Sequence, residues 1–441
     1  MRRLTWGMQI VFILSMMVML FTPSFANEED ETQQVPMEEV QRFSNAMGLI
    51  KKYYVKPVDD KVLFENAIRG MLSGLDPHSA YLDEAEYTEL QTATSGEFGG
   101  LGIEVSMEDD VIKVITPLVD TPAYNAGIKS GDYIIKIGPQ AVQGMKLKDA
   151  VDLMRGQIGS KVNLTIVRKG GDKPKVYHLT REKIIIKSVK SRILDNNYGY
   201  VRLTQFQALT PEEMKKAILA LKKQAGGELK GLILDLRNNP GGLLDAAIQV
   251  SDAFLDKTKQ SAKPELIVYT EGRFPGSEFK AIANPGDILN KAPLVVLINH
   301  GSASASEIVA GALKDNKRAI VVGTQSFGKG SVQTVLPVDD KRAIKLTTAL
   351  YYTPSGVSIQ AKGITPDIVI EEMKIPKDTN NDALEFSEAS LNGHLANKAD
   401  LKKTKGAIAT KKVEDEDALM HEDYQLYSAL TILRGIAVAG H

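Results

Sequence analysis

Apolar residues follow a different rhythm in each part of this chain, and each rhythm predicts an element. Ile10 to Phe21 is a 12-residue apolar run broken only by Ser15, with Arg2 and Arg3 ahead of it and Pro23 and Ser24-Phe25-Ala26 behind it. A basic start, a short apolar stretch and a small-x-small site predict a secretory signal over residues 1–26, cleaved after Ala26. An uncleaved anchor is the alternative, although the run falls short of the ~20 residues of a spanning helix. After a polar, acidic leader at 27–35, Val40, Phe43, Met47, Ile50 and Tyr54 recur at helical spacing, and so do Phe64, Ala67, Ile68, Met71, Leu72 and Leu75. Two amphipathic helices follow from this. Asp76-Pro77-His78 ends the second, because the residue before a proline is pushed out of helical conformation.

From Tyr200 the period alternates. Tyr200 to Leu203, Gly231 to Asp235 and Leu294 to Ile298 read as strands, whereas Thr210 to Leu221 and Leu243 to Leu255 carry helical stripes. Alternating strands and helices predict a largely parallel sheet with helices on its faces, whose ligands bind at the carboxyl ends of the strands. Beyond Ile370 the chain turns polar, with linkers at 374–380 and 397–412, before a last helix from about Glu416 to Ala439. Its stripe of Leu419, Leu426, Leu430, Leu433 and Ala437 has two uses open to it, packing on its own core or joining copies of the chain.

Composition narrows the classes. The chain has 441 residues, several times the roughly 150 of one average domain, so two or three domains are expected. With 54 Lys+Arg against 55 Asp+Glu it has no overall attraction for nucleic acid. The absence of Cys excludes disulfide frameworks, thiolate metal sites and cysteine nucleophiles, and leaves six His for acid-base chemistry. Of these, His78 is a candidate base, with a structural loop histidine as the favoured reading.

Gly96, Gly99, Gly100 and Gly102 cluster ahead of Ile103-Glu104-Val105. Phosphate fingerprints follow a strand and open a helix, whereas this cluster follows a polar helix and opens into β-branched sequence. It resembles a PDZ domain over residues 97–182, with Gly100-Leu101-Gly102-Ile103 as the carboxylate-binding loop and Ala126 to Gly138 and Val162 to Arg168 completing the pattern. The resemblance implies that a peptide C-terminus binds the loop's N–H groups and adds a strand beside Ile103 to Val105, with Val151 and Met154 lining a pocket for an apolar terminal side chain.

Three loops carry candidate chemistry. Arg237-Asn238-Asn239-Pro240-Gly241-Gly242 follows one buried strand, and Gly301-Ser302-Ala303-Ser304-Ala305-Ser306-Glu307 follows another and opens a helix. Such a turn pushes a hydroxyl into a cleft, but Ser304-x-x-Glu307 is equally a capping box. In the third, Lys329 sits between Gly328 and Gly330, as a lysine does whose backbone must approach another loop closely. A phosphate-loop reading of Gly323 to Lys329 fails, because Gly330 stands where a metal-binding hydroxyl belongs and no helix follows.

Together with Gly74-Leu75-Asp76-Pro77-His78-Ser79 and Gly363-Ile364-Thr365-Pro366-Asp367, these loops resemble the carboxyl-terminal processing peptidases, from about Val40 to Ile370. The resemblance implies a multidomain α/β protein, with a crotonase-like protease core at 183–370, an inserted PDZ domain, a helical N-terminal region at 27–96 and a polar linker and helix at 371–441. It implies a Ser-Lys dyad whose nucleophile lies 25 residues before the lysine, which selects Ser304 over Ser302 and Ser306. By the same carry-over, Lys329 is the base, Gln333 orients it, Ala305 and Gly242 supply the oxyanion hole with Gly241 as a weaker candidate, and Arg168 couples bound peptide to the site. Pro240 stands where relatives often have Gly. No metal or organic cofactor is implied.

The function expected is an exported serine endopeptidase of the periplasm, acting on polypeptides with exposed C-termini. A homodimer or higher oligomer through the terminal helices is expected, and an adaptor protein is left open. The rival is a non-catalytic PDZ scaffold that holds protein tails in the envelope, which would need none of Ser304, Lys329 and Gln333.

Overall fold

A computed structural model describes residues 36–108, 110–169, 173–256, 265–373, 375 and 418–439. The signal and both polar linkers of the sequence reading lie largely or wholly outside these residues. The chain divides after Met71 into two compact units. In the first, helix α1 (Met37–Tyr53) begins with Glu38 and Glu39 and ends with Lys51 and Lys52, matching its dipole. None of its residues is buried, and Phe43 meets Phe64 of the following helix with ring centroids 6.4 Å apart.

The second unit is built on a six-stranded sheet, β10 (Val189–Leu194), β11 (Tyr198–Leu203), β12 (Gly231–Asp235), β15 (Leu294–Ile298), β16 (Ile320–Gly323) and β19 (Ile368–Val369), in that spatial order. Only the first pair is antiparallel, as the strand-helix alternation requires. Period two then divides the side chains. Leu232, Leu234, Leu294, Val296 and Ile298 face one core, under the helices Thr210–Gln224, Leu244–Asp252 and Ala305–Asp315. Tyr198, Tyr200, Ile233, Val295, Leu297 and Val322 face the other, which Leu426, Ala429, Leu430 and Leu433 of the last helix, Tyr424–Ala439, close. The apolar stripe of that helix therefore packs on its own sheet. Arg237, at the foot of the loop after β12, reinforces the docking by bonding Asp235 and, through both terminal nitrogens, Asp423 at 2.7–2.8 Å.

A second, antiparallel sheet stands beside the first. It places β1 (Ala80–Leu82) against β18 (Ala343–Tyr352), with β13 (Leu266–Gly272), β14 (Phe279–Ile282) and β17 (Ser331–Pro337). The sequence reading had not separated this layer. Asn299 to Glu307 of the parallel sheet and Lys329 at the foot of β17 approach each other where the two sheets meet.

The glycine-rich region begins a module inserted between strands that close on each other. β2 (Glu97–Gly100) and β9 (Glu182–Ile185) pair antiparallel and bracket the sheet β3 (Ile103–Glu108), β4 (Val111–Pro117), β5 (Tyr133–Ile137), β7 (Lys161–Val167) and β8 (Lys175–Thr180). The expected binding loop, Gly100 to Ile103, spans the junction of β2 and β3. Gly100 still belongs to β2 and Ile103 already to β3, so Leu101 and Gly102 alone make the turn, because strand pairing claims the flanking backbone. Gly99 is required by close approach, since a Cβ there would lie 2.0 Å from the Gly156 carbonyl.

Candidate active site

Ser304 is the last residue before the helix Ala305–Asp315, at φ 56° and ψ −113°. A non-glycine residue held there costs roughly 1–3 kcal/mol, so neighbours must fix the turn. The flanking serines do so. Ser302 Oγ donates to the Leu236 carbonyl at 2.8 Å and Ser306 Oγ to the Asn239 carbonyl at 2.9 Å, both fully buried. Ser304 is half-buried and lines a cleft of about 500 Å³. Two of the three hydroxyls thus tie this turn to the loop after β12, and the third is presented.

The same cleft is lined by Lys329, Gln333, Ala305 and Gly242, and also by Lys345, Tyr351, Leu90 and Gln205. Glu307 connects the serine turn to the lysine loop. Its carboxylate, fully buried, accepts the N–H of Ser304 at 2.7 Å, as the capping-box reading anticipated, and also Ser326 Oγ, Gly328 N–H and Lys329 N–H at 2.6–2.9 Å. Close approach around Lys329 is real. A Cβ on Gly330 would lie 2.4 Å from the Gln360 nitrogen, and one on Gly328 would lie 3.0 Å from that of Gly363.

Burial, then the nearby Lys345 ammonium, pushes the Lys329 amine below the ordinary lysine range, against the opposing pull of Asp76 and Glu307. Its Nζ makes no hydrogen bond among the described residues. Tyr351 occupies the intervening chemistry, with its hydroxyl 2.9 Å from Ser304 Oγ and bonded to the Lys329 carbonyl. One phenolic proton serves one of these, so when it goes to the carbonyl Ser304 donates to Tyr351. Gln333 is beside the lysine but not bonded to it, since its Nε2 donates to Ser331 Oγ at 2.9 Å and Thr347 Oγ1 at 3.3 Å. Thr347 in turn donates to Asp76. His78 is drawn into the same neighbourhood, its imidazole held below the ordinary histidine range by burial and by the Lys329 charge.

The oxyanion candidates separate. Gly241 N–H is already given to Asn239 Oδ1 at 2.9 Å. The N–H groups of Ala305 and Gly242 have no acceptor among the described residues. Gly242, at φ 145°, admits no side chain, because a Cβ would sit 2.1 Å from the Phe206 carbonyl.

In the inserted module, Gly100 to Ile103 line a small cavity with Val105, Val151, Met154, Arg155 and Phe98, beside β3, which is an edge strand. Arg168 is not among the residues that line the Ser304 cleft. It forms a forked ion pair with Asp132 at 2.6 and 2.7 Å and reaches the Gly127 carbonyl. Sequence reasoning missed Tyr351, Lys345 and the wider role of Glu307. Only the Ser304-x-x-Glu307 spacing offered a signal for any of them.

Residues 197–370 match peptidase family S41, residues 99–175 a PDZ domain, and residues 13–86 the N-terminal domain of the activating protease CtpB. The carboxy-terminal-processing protease of Bartonella bacilliformis is 45% identical over 426 residues, which is 96% of this chain and 94% of the relative. The carboxy-terminal processing protease CtpA of Bacillus subtilis is 37% identical over 75% of this chain and 68% of its own. Among solved structures, the photosystem II D1 C-terminal processing protease is 31% identical, covering 76% of this chain and 94% of that one with a TM-score of 0.43.

Proposed function

Because the chain belongs to the carboxy-terminal processing proteases of peptidase family S41, we propose that it is an exported endopeptidase that cleaves proteins in their C-terminal regions, with Ser304 as nucleophile and Lys329 as base. The observation that carries this reading is the unequal use of the three serines. Ser302 and Ser306 bond to backbone carbonyls, whereas Ser304 projects from a strained turn into the cleft that Lys329 shares.

In the reaction, neutral Lys329 removes the proton of Ser304 as Oγ attacks the scissile carbonyl, and then passes it to the leaving amine. The oxyanion that forms on attack is stabilised by the N–H groups of Ala305 and Gly242, and it collapses to the acyl-enzyme as the C–N bond breaks and the amine leaves. Water then takes the place of the amine and hydrolyses the acyl-enzyme. Burial favours the neutral amine that this scheme needs, since an unperturbed lysine near 10.4 stays charged at neutral pH.

The arrangement described is a resting one. Ser304 is engaged by Tyr351 and Lys329 is not yet its partner, so activation is a turn of Ser304 Oγ from the tyrosine to the amine. Gln333 reaches Lys329 only by giving up Thr347, and Arg168 acts on the cleft only by leaving Asp132. A protein tail bound by the PDZ module at 97–182 supplies the free energy for that shift. Export through the signal at 1–26 places the enzyme in the periplasm. With the last helix occupied by its own sheet, the exposed apolar residues of α1 are the surface through which copies would assemble.

Cleavage of an unfolded protein with an apolar C-terminus, by the wild type and by Ser304→Ala and Lys329→Ala, tests the proposal. Loss of cleavage in both variants is expected. A wild type that binds the tail and never cleaves it, even with envelope extract added, would make the chain a scaffold.

A further inference from the structure

The PDZ module holds an arginine, Arg155, whose guanidinium has no hydrogen-bond or ion-pair partner among the described residues. Arg155 caps the helix Leu147–Met154, whose last carbonyls are held by Arg181, with Nε on Met154 O at 3.0 Å and Nη2 on Leu153 O at 2.8 Å. Gly156 N–H then bonds Gly99 O at 3.1 Å, so the backbone on both sides of Arg155 is fixed. Its guanidinium lies over the Phe98 ring, 4.6 Å from the centroid. It forms no ion pair or hydrogen bond among the described residues, and its Nε is buried without an acceptor. A buried donor left unmade costs roughly 1–3 kcal/mol, which an acceptor brought by a ligand would relieve.

The rest of the cavity says which acceptor. The N–H groups of Leu101 and Gly102 also have no partner among the described residues, and Gly102 turns the chain at φ 70°. These donors and Arg155 line one cavity of about 80 Å³, whose other walls include Val105, Val151 and Met154. Two free backbone donors and a guanidinium fork match a carboxylate, and the small apolar space beside them admits a short aliphatic side chain.

We propose that Arg155 is the charged ligand of the substrate's terminal carboxylate, so that the module reads the free acid of a tail ending in a small aliphatic residue. This rests on the tail-binding reading above. The cation sits on the helix side of the groove, stacked on Phe98, so it discriminates a true chain end from an internal segment of the same sequence, which offers only a neutral amide.

The test uses the full chain carrying Ser304→Ala, so that binding is measured without turnover. Two fluorescein-labelled decapeptides ending in valine, one a free acid and the other a C-terminal amide, are titrated by anisotropy. The acid is expected to bind about 10-fold or more tighter, as a charge-assisted bond implies. Arg155→Met, which keeps the stem over Phe98 and leaves the Leu101 and Gly102 donors in place, is expected to shrink that difference several-fold by weakening the acid rather than the amide. Arg155→Lys, expected to lose several-fold on the acid alone, decides the matter if the methionine variant does not fold by circular dichroism. An acid-to-amide ratio unchanged by either substitution, or no binding of the acid peptide at all, overturns the proposal. Absence of cleavage by the Ser304-containing chain would instead sink the protease reading and leave this one standing.

Discussion

At the scale of single residues, the site turns on the charge of Lys329. Because burial and Lys345 favour the neutral amine, cleavage should rise with pH and level off below the ~10.4 of a free lysine. Removing the neighbouring cation with Lys345→Met should move that inflection upward, in a profile of kcat/KM against pH. A lower or unmoved inflection would mean that Lys345 does not act on Lys329. Glu307 is the second pivot. In Glu307→Gln, one carboxylate oxygen becomes an NH₂ facing N–H or O–H donors that now lack an acceptor. The expected cost is about 2–4 kcal/mol of stability, with activity falling at least ~100-fold because serine turn and lysine loop separate. Thermal unfolding and single-turnover cleavage would show both.

At the scale of elements, the last helix and the loop carrying Gly242 are joined by one arginine. Burial would push the Asp423 carboxyl up, but its bonds to Arg237 hold it below the usual carboxylate range. A depressed carboxyl stabilises above its unfolded value of ~3.9 and loses that contribution as pH falls through the folded one. Hydrogen exchange in Tyr424–Ala439 should therefore accelerate below about pH 4 before that of β12 or β15. Equal acceleration in all three would show that the helix is not separately docked by this pair. Leu433 lies fully buried on the sheet-facing side of that helix, so Leu433→Ala should cost about 2–5 kcal/mol in chemical denaturation, far more than an exposed helix position. The stem of the inserted module is tight in another way. Gly99→Ala must displace the Gly156 carbonyl, and is expected to lower tail binding more than cleavage of a short peptide.

At the scale of the molecule, two sheets and an inserted module divide the labour. The parallel sheet presents Ser304 and the free N–H groups, the antiparallel sheet presents Lys329, Gln333 and Tyr351, and the module presents Arg155. The carboxyl-terminal processing peptidases and the PDZ domain, expected from the loops and glycines, were both found. The alternation of strand and helix and the stripe of the last helix were legible as well, since burial on one face forces a period on any chain. The antiparallel layer was not. Its strands are only half-buried, as in β17 and β18, and their apolar residues do not alternate cleanly.

The sequence by itself determined the local geometry. Glycines specify where backbone must pass close to backbone, and the strand-turn-helix around Ser304 follows from small residues between a buried strand and an apolar helix. Family resemblance then pointed to Ser304 among three candidate serines. Tertiary structure alone decided which groups are free. Ser302 and Ser306 spend their donors on backbone oxygens, whereas among the described residues Gly242 N–H, Ala305 N–H, Lys329 Nζ and the Arg155 guanidinium keep theirs. The physical reason is that a hydrogen bond between residues 60 or more apart in sequence depends on which strands become neighbours, and no local pattern encodes that pairing.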